Sequence, residues 1–237
     1  MAQPIRTYTD ETPAKITFKM PTLNPSGQGK SALVNEFAYY VTPSMKVAFG
    51  VDVTENKKTI RGQGDATDAF YAWLDRLQAN VIDFVANTPN FQAALFGANG
   101  GPKSIEVIKD RFHKMVTESE EYGAGVRFKL TENTQYFILV DENEQAADDH
   151  LQSYTNPEVH SASGGGGAKR HVMKPATIDD IKKNTNVKVV CQFGPLWSNG
   201  TRFGLIVRAT QVLIEGYYNY GDDADGADAS VVAAPMF

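Results

Sequence analysis

Apolar and polar residues alternate along much of this chain, with the two-residue period that is typical of strands buried on one face. In one clear case Val47, Phe49, Val51 and Val53 share a parity, and Gly50 within this run predicts a bulge or a sharp bend. The alternation predicts strands at residues 16–20, 45–53, 126–130, 135–140, 187–193 and 202–214.

Turn signals connect these predicted strands. Residues 131–134 predict a hairpin between the third and fourth strands, and Ser198-Asn199-Gly200 predicts one between the last two. Residues 24–29 form a Pro/Ser/Gly turn cluster, and residues 31–41 fit either a strand or a short helix.

Helical spacing is strongest at residues 65–86, where Asp65 can cap the first turn. A second helix is predicted at residues 105–115 and a short helical turn at residues 177–183. Strands outnumber helices and no strand–helix unit repeats, so the sequence predicts a mainly β (α+β) fold. The apolar face of the first helix comprises Phe70, Trp73, Leu74, Leu77, Val81, Ile82 and Val85.

The polar segments suggest how the chain is organised. We expect residues 1–14 to be an extended arm and residues 142–175, with four glycines at 164–167, to be a long flexible loop. Both would belong to one domain at residues 1–220, followed by a tail at residues 221–237.

Cysteine usage and hydropathy favour an intracellular protein. The single cysteine, Cys191, excludes an internal disulfide, and the four histidines have no spacing typical of metal ligands. There is no run of 18 apolar residues and no apolar stretch near residue 1, so we expect neither a membrane span nor a secretory signal.

The negative charge is concentrated at the C-terminus. The whole chain has a net charge of −5, with 23 basic and 28 acidic residues. The tail contains no Lys or Arg, and without its four Asp residues the count is 23 basic against 24 acidic, a net charge of −1. Acidic tails are often interaction segments. The tail residues concerned are Asp222, Asp223, Asp225 and Asp228, with Phe237 as the last residue.

One alternative function is nucleotide hydrolysis. Residues 24–31 read N-P-S-G-Q-G-K-S, which differs from the phosphate-binding loop motif by Asn24 in place of the first glycine. The apolar run before Asp141 and Glu142 would then supply an acidic pair for Mg²⁺. The same segments also fit an ordinary turn and strand. Since no other catalytic constellation is evident, we expect no enzyme activity and no cofactor.

The basic residues of the predicted strands fall on the outward parity. If the strands adjoin, these residues form a positive face that can follow a phosphate backbone, although outward residues are polar in any sheet. Lys169 and Arg170, beside the glycine run, can add to this face or belong to a solvated linker. The strand residues are Lys46, Arg127, Lys129, Lys188, Arg202 and Arg208. Candidate aromatic platforms for stacking bases are Trp197, Phe203, Tyr39 and Tyr40.

Three strand segments and the tail resemble a known family. The run Tyr40-Val41-Thr42-Pro43-Ser44-Met45-Lys46-Val47-Ala48-Phe49-Gly50 is similar to the TP-x-φ-x-V-x-FG strand of single-stranded DNA-binding proteins of the T-odd phage type, as found in large algal and amoebal DNA viruses. Residues 187–212 are similar to the closing hairpin of that family and residues 126–130 to the strand before it. The acidic tail ending in Phe237 is also similar.

The resemblance implies a five-stranded OB-fold barrel with a capping helix. It further implies sequence-nonspecific binding of single-stranded DNA in replication, recombination and repair, within a phage- or virus-infected cell. The tail would contact a DNA polymerase and a helicase or primase, and would cover the positive face when DNA is absent. A homodimer is also implied. A viral structural or scaffold protein remains the non-enzymatic alternative.

Overall fold

The computed structural model describes residues 5–9, 13, 15–25, 27–54, 57–64, 68–97, 102–120, 123–141 and 171–217. Within these residues the chain forms twelve strands and three α-helices. The strands are β1 (Ile5–Thr7), β2 (Thr22–Leu23), β3 (Lys30–Ala32), β4 (Tyr39–Val41), β5 (Met45–Thr54), β6 (Lys57–Gln63), β7 (Val116–Ser119), β8 (Gly123–Leu130), β9 (Gln135–Asp141), β10 (His171–Pro175), β11 (Thr185–Ser198) and β12 (Phe203–Tyr217). The helices are α1 (Asp68–Ala86), α2 (Pro89–Phe96) and α3 (Ile105–Arg111).

Five of the strands close into a barrel. They follow one another in the order β5, β6, β8, β12 and β11, and β11 pairs again with β5. Neighbouring strands are antiparallel except β8 and β12, which are parallel. The fold is therefore mainly β with a closed five-stranded barrel of the OB type and few helices, as the sequence predicts.

The barrel interior follows the predicted alternation. On β8 Val126 and Phe128 are fully buried, and on β11 Val187, Val189 and Cys191 are fully buried. Apolar side chains at period 2 leave the intervening residues on the outer surface of the barrel. The same alternation continues along β12, where the inward residues are Phe203, Leu205, Val207 and Ala209.

The hairpin predicted across residues 131–134 does not form. One edge of β12 pairs with β11, and β8 and β9 both lie along its other edge, each parallel to it. The Thr134 hydroxyl donates to the Ala209 carbonyl at 2.9 Å, and the Thr134 N–H donates to the Thr131 carbonyl at 3.0 Å. The chain therefore bends and continues along β12 instead of reversing. Alternation defines the faces of a strand but does not define its partner.

The remaining strands extend the sheet beyond the barrel. β4 pairs with β11 and β1, and β3 pairs with β11 and β2, so residues 31–41 contain two short strands rather than a helix. The predicted strand at residues 16–20 forms only an isolated bridge between Phe18 and Val34. The loop predicted to reach residue 175 ends earlier, because β10 pairs antiparallel with β9 over all five of its residues.

Helix α1 packs against the barrel with the predicted face. Its seven buried side chains are the seven that the helical spacing indicates. Trp73 lies beside Tyr40 of β4 and Phe193 of β11, with ring centroids 4.7 and 5.6 Å apart. The helix begins at Asp68, and the predicted cap at Asp65 lies outside the described residues.

The other helical predictions are correct in part. Helix α3 ends at Arg111, four residues before the predicted end, and β7 follows. Helix α2, which begins with Pro89 in its first turn, has no counterpart in the prediction. Residues 178–180 form the predicted helical turn, and a capping box between Thr177 and Asp180 closes it.

Candidate nucleic-acid interface

Four cationic side chains lie together on the outer surface of the barrel. Arg61 of β6 is directly opposite Arg127 of β8, and Lys129 of β8 is directly opposite Arg208 of β12. Arg127 and Lys129 are two residues apart and therefore on one face of their strand. We call Arg61, Arg127, Lys129 and Arg208 the basic patch. Three of them were predicted from outward parity, and the fold brings those three together.

The size of the basic patch follows from strand geometry. Neighbouring strands are about 4.8 Å apart, so the patch spans about 10 Å across β6, β8 and β12. Two residues along β8 add about 7 Å in the other direction. An area of this size can contact several successive phosphates of one nucleic-acid strand.

Arg61 is the member of the basic patch that the sequence analysis missed. Strand β6 has only Ile60 as a buried apolar side chain, so its alternation was too weak to reveal a strand. Its neighbours hold the Arg61 guanidinium in place, because Nη2 donates to the carbonyls of Thr117 at 2.9 Å and Gly123 at 2.8 Å. A Cβ on Gly125 would lie 2.7 Å from Arg61 Nε, so the guanidinium occupies space that only glycine leaves open.

No cation of the basic patch forms an ion pair with an acidic side chain among the described residues. In the described part of the chain an ion pair does form between Lys188 and Glu215, which lie outside the basic patch. Arg208 Nε is buried and has no hydrogen-bond partner among the described residues.

A groove runs along the β5 side of the basic patch. Its volume is about 390 Å³, and Arg61, Arg127, Thr59, Asp52 and Phe49 contribute to its walls. Two guanidinium groups thus face one carboxylate. Phe49 is 50% exposed, although the alternation in the sequence placed it inside with Val47 and Val51.

The other predicted strand cations lie elsewhere on the barrel. Lys188 forms its 2.9 Å ion pair with Glu215, which also accepts a hydrogen bond from Ser44. Lys46 is opposite Asn186 of β11, which is two residues before Lys188. These two lysines point outward as predicted, but they lie over β5 and β11 rather than beside β8. Lys46 is also opposite Gln63 of β6, two residues from Arg61, so Lys46 flanks the basic patch on its β5 side and Lys188 lies beyond it on β11.

Two of the four predicted aromatic platforms are buried. Phe203, a predicted platform, is 0% exposed and packs edge-to-face against Phe96 and Phe112, so its ring lies in the core and not on the outer surface of the barrel. Its inward parity, shared with Leu205, gives the reason. Tyr40 is likewise buried in the core.

Trp197 and Arg202 lie at the β11–β12 hairpin. Trp197 is half-buried, and its ring centroid is 5.9 Å from that of His113. The turn before β12 is closed by Asn199, whose side-chain oxygen accepts from the N–H of Arg202 at 2.8 Å. Arg202 is exposed there, beyond the end of the basic patch. Lys169, Arg170 and the tail residues Asp222, Asp223, Asp225, Asp228 and Phe237 lie outside the described residues.

The segment suggested as a phosphate-binding loop has a different geometry. Residues 24–25 and 27–31 belong to the β2–β3 hairpin, which is closed by a hydrogen bond from Asn24 N–H to Gly29 O at 3.1 Å. The motif requires a helix after the loop, whereas here a strand follows. Of the acidic pair proposed with it, Asp141 ends β9 and Glu142 lies outside the described residues.

Other sites for chemistry are sparse in the described residues. No three His, Cys, Asp or Glu side chains there are grouped closely enough to bind a metal ion. Cys191 is fully buried, and burial raises the pKa of its thiol far above the usual value, which keeps it protonated and unreactive. None of the described helices combines the length and the apolar character needed to cross a membrane.

The chain matches no protein-family model and no curated protein sequence.

Proposed function

We propose that this protein binds single-stranded DNA without sequence preference and acts in DNA replication, recombination and repair. The observation that carries this proposal is the basic patch on adjacent outward positions of β6, β8 and β12. In the order of the chain, β6 and β8 are the second and third barrel strands. That face is the one with which OB folds bind oligonucleotides.

The chemistry of the basic patch fits a phosphate backbone better than a protein partner. A positive groove on an OB barrel follows the backbone of a single strand, and the bases add contacts by stacking. Arg127 supplies a planar guanidinium group that can bind phosphate with two parallel hydrogen bonds, and Arg61, whose Nη2 is held by two backbone carbonyls, adds a fixed positive charge beside it. Backbone contacts of this kind read no sequence, which is why we propose nonspecific binding.

The resemblance to single-stranded DNA-binding proteins of the T-odd phage type extends the proposal beyond the barrel. We infer that the acidic residues at 221–237 compete with DNA for the basic patch and, once displaced, contact a DNA polymerase, a helicase or a primase. We also infer a homodimer that works at the site of viral DNA replication in an infected cell. Charge segregation between tail and body supports the competition.

The test is fluorescence anisotropy with a labelled oligo-dT and a duplex of equal length, across a series of salt concentrations. We expect preferential binding of the single strand and an affinity that falls steeply as salt rises. Binding to neither nucleic acid, with and without residues 221–237, would refute the proposed function. Equal affinity for the duplex would show a general polyanion site instead.

A further inference from the structure

The bulge in β5 turns one aromatic side chain outward. Val47 is opposite Gly62 and Val51 is opposite Ile60, so three residues of β5 face the single residue Arg61. The middle one of the three is Phe49. Val47 is buried and Val51 half-buried, as residues on the inward parity should be, but Phe49 is 50% exposed.

Gly50 makes this bulge possible. Its φ of +74° lies in the left-handed region, which residues with a Cβ rarely adopt. The backbone of Ile181 and Lys183 also approaches closely, at 3.3 Å from the position that a Cβ would occupy. The glycine therefore fixes where β5 bends, and the bend fixes the direction of Phe49.

Phe49 differs from the other exposed apolar residues of the described chain. Eight large apolar side chains there are strongly exposed, and Phe49 is the only aromatic one among them. It lies in the groove that also contains Arg61 and Arg127. A half-exposed ring beside two guanidinium groups matches a nucleotide, which has a flat apolar base next to an anionic phosphate.

We propose that Phe49 is a stacking platform for a base of single-stranded DNA, with Arg61 and Arg127 holding the adjacent phosphates. This inference rests on the proposed function and assigns the role of base contact to a particular residue. Every base has a π-face, so a single platform of this kind preserves sequence-independent binding. It also favours single strands, because the bases of a duplex are already stacked on one another.

The test compares wild type with Phe49→Leu, which keeps an apolar side chain but removes the ring. We expect Phe49→Leu to bind oligo-dT about 5- to 100-fold more weakly, with an unchanged dependence on salt because no charge is removed. An oligomer of the same length made of abasic sugar phosphates should bind wild type and variant equally. Leu33→Ala, which changes an exposed apolar side chain on another surface, is the matched control and should leave both affinities unchanged.

A third variant tests the ring directly. Phe49→Trp should restore the affinity for oligo-dT, and its added fluorescence should be quenched when oligo-dT binds. Equal affinity of wild type and Phe49→Leu for oligo-dT would overturn the stacking role while leaving the proposed function intact. An equal loss on both oligomers would also overturn it, because the ring would then act through the structure of the groove. If wild type binds no oligonucleotide, the proposed function fails and this inference fails with it.

Discussion

Replacing Arg127 and Lys129 together by alanine removes half of the basic patch. Both side chains point away from the core of β8, between the buried Val126, Phe128 and Leu130, so the fold should tolerate the change. If each of the four cations neutralises one phosphate, the plot of log K against log salt has a slope of about −2.8 for wild type. The double variant should have a slope of about −1.4.

The same arithmetic gives the change in affinity. At 1 M salt counterion release contributes little, so wild type and the double variant should bind with similar affinity. At 0.1 M salt the two lost phosphate contacts should make the variant bind about 25-fold more weakly than wild type. Between 50 and 200 mM salt, wild type should lose about 50-fold in affinity and the double variant only about 7-fold. Anisotropy titrations with oligo-dT at four or more salt concentrations measure both quantities.

A matched control separates local contacts from overall charge. Lys15→Ala/Lys19→Ala removes the same two charges from exposed positions away from the barrel face of β6, β8 and β12, and should keep a slope near that of wild type. Thermal unfolding verifies that both variants are folded. If the patch variant and the control have the same slope, the basic patch does not hold the phosphates and the reasoning is wrong.

Three further predictions concern a bulge, a cap and the tail. Gly50→Ala should lower the free energy of unfolding in urea by about 1–2 kcal/mol because of its positive φ. Gly27 has a similar φ but open space around it, so Gly27→Ala is the control. The additional loss of unfolding free energy in Gly50→Ala measures the close backbone contact, and equal losses in the two variants would contradict that contact. Hydrogen bonds from Thr177 hold the pKa of Asp180 below its usual value. The carboxylate therefore stabilises the folded protein fully above the usual Asp pKa, and this stabilisation is lost as pH falls through the lowered pKa of the folded state. Asp180→Ala should therefore cost less than about 1 kcal/mol at pH 7, because solvent screens this exposed carboxylate, and progressively less as pH falls below the usual Asp pKa, whereas a cost independent of pH would argue against the charged cap. Deleting residues 221–237 should tighten binding to oligo-dT at low salt and have little effect at high salt, and an unchanged low-salt affinity would exclude competition by the tail.

Much of the basic patch was predictable because outward parity is a local property. A side chain on a strand points to one face or the other according to its position alone, so Arg127, Lys129 and Arg208 could be placed outside from the sequence. Arg61 could not, because β6 owes its strand conformation to pairing with β5 and β8 more than to its own alternation. Phe203 was chosen for its residue type, against the parity that buries it.

The sequence by itself determined what depends on the period of a single element. The seven buried residues of α1, the inward faces of β8, β11 and β12, and the position of the bulge at Gly50 all follow from spacing along the chain. Only the tertiary structure decided which elements meet. It set β8 beside β12 rather than beside β9, brought Arg61 to Arg127, and turned Phe49 into the groove. Partners in a sheet are chosen by the packing of the whole core, and no local pattern contains that information.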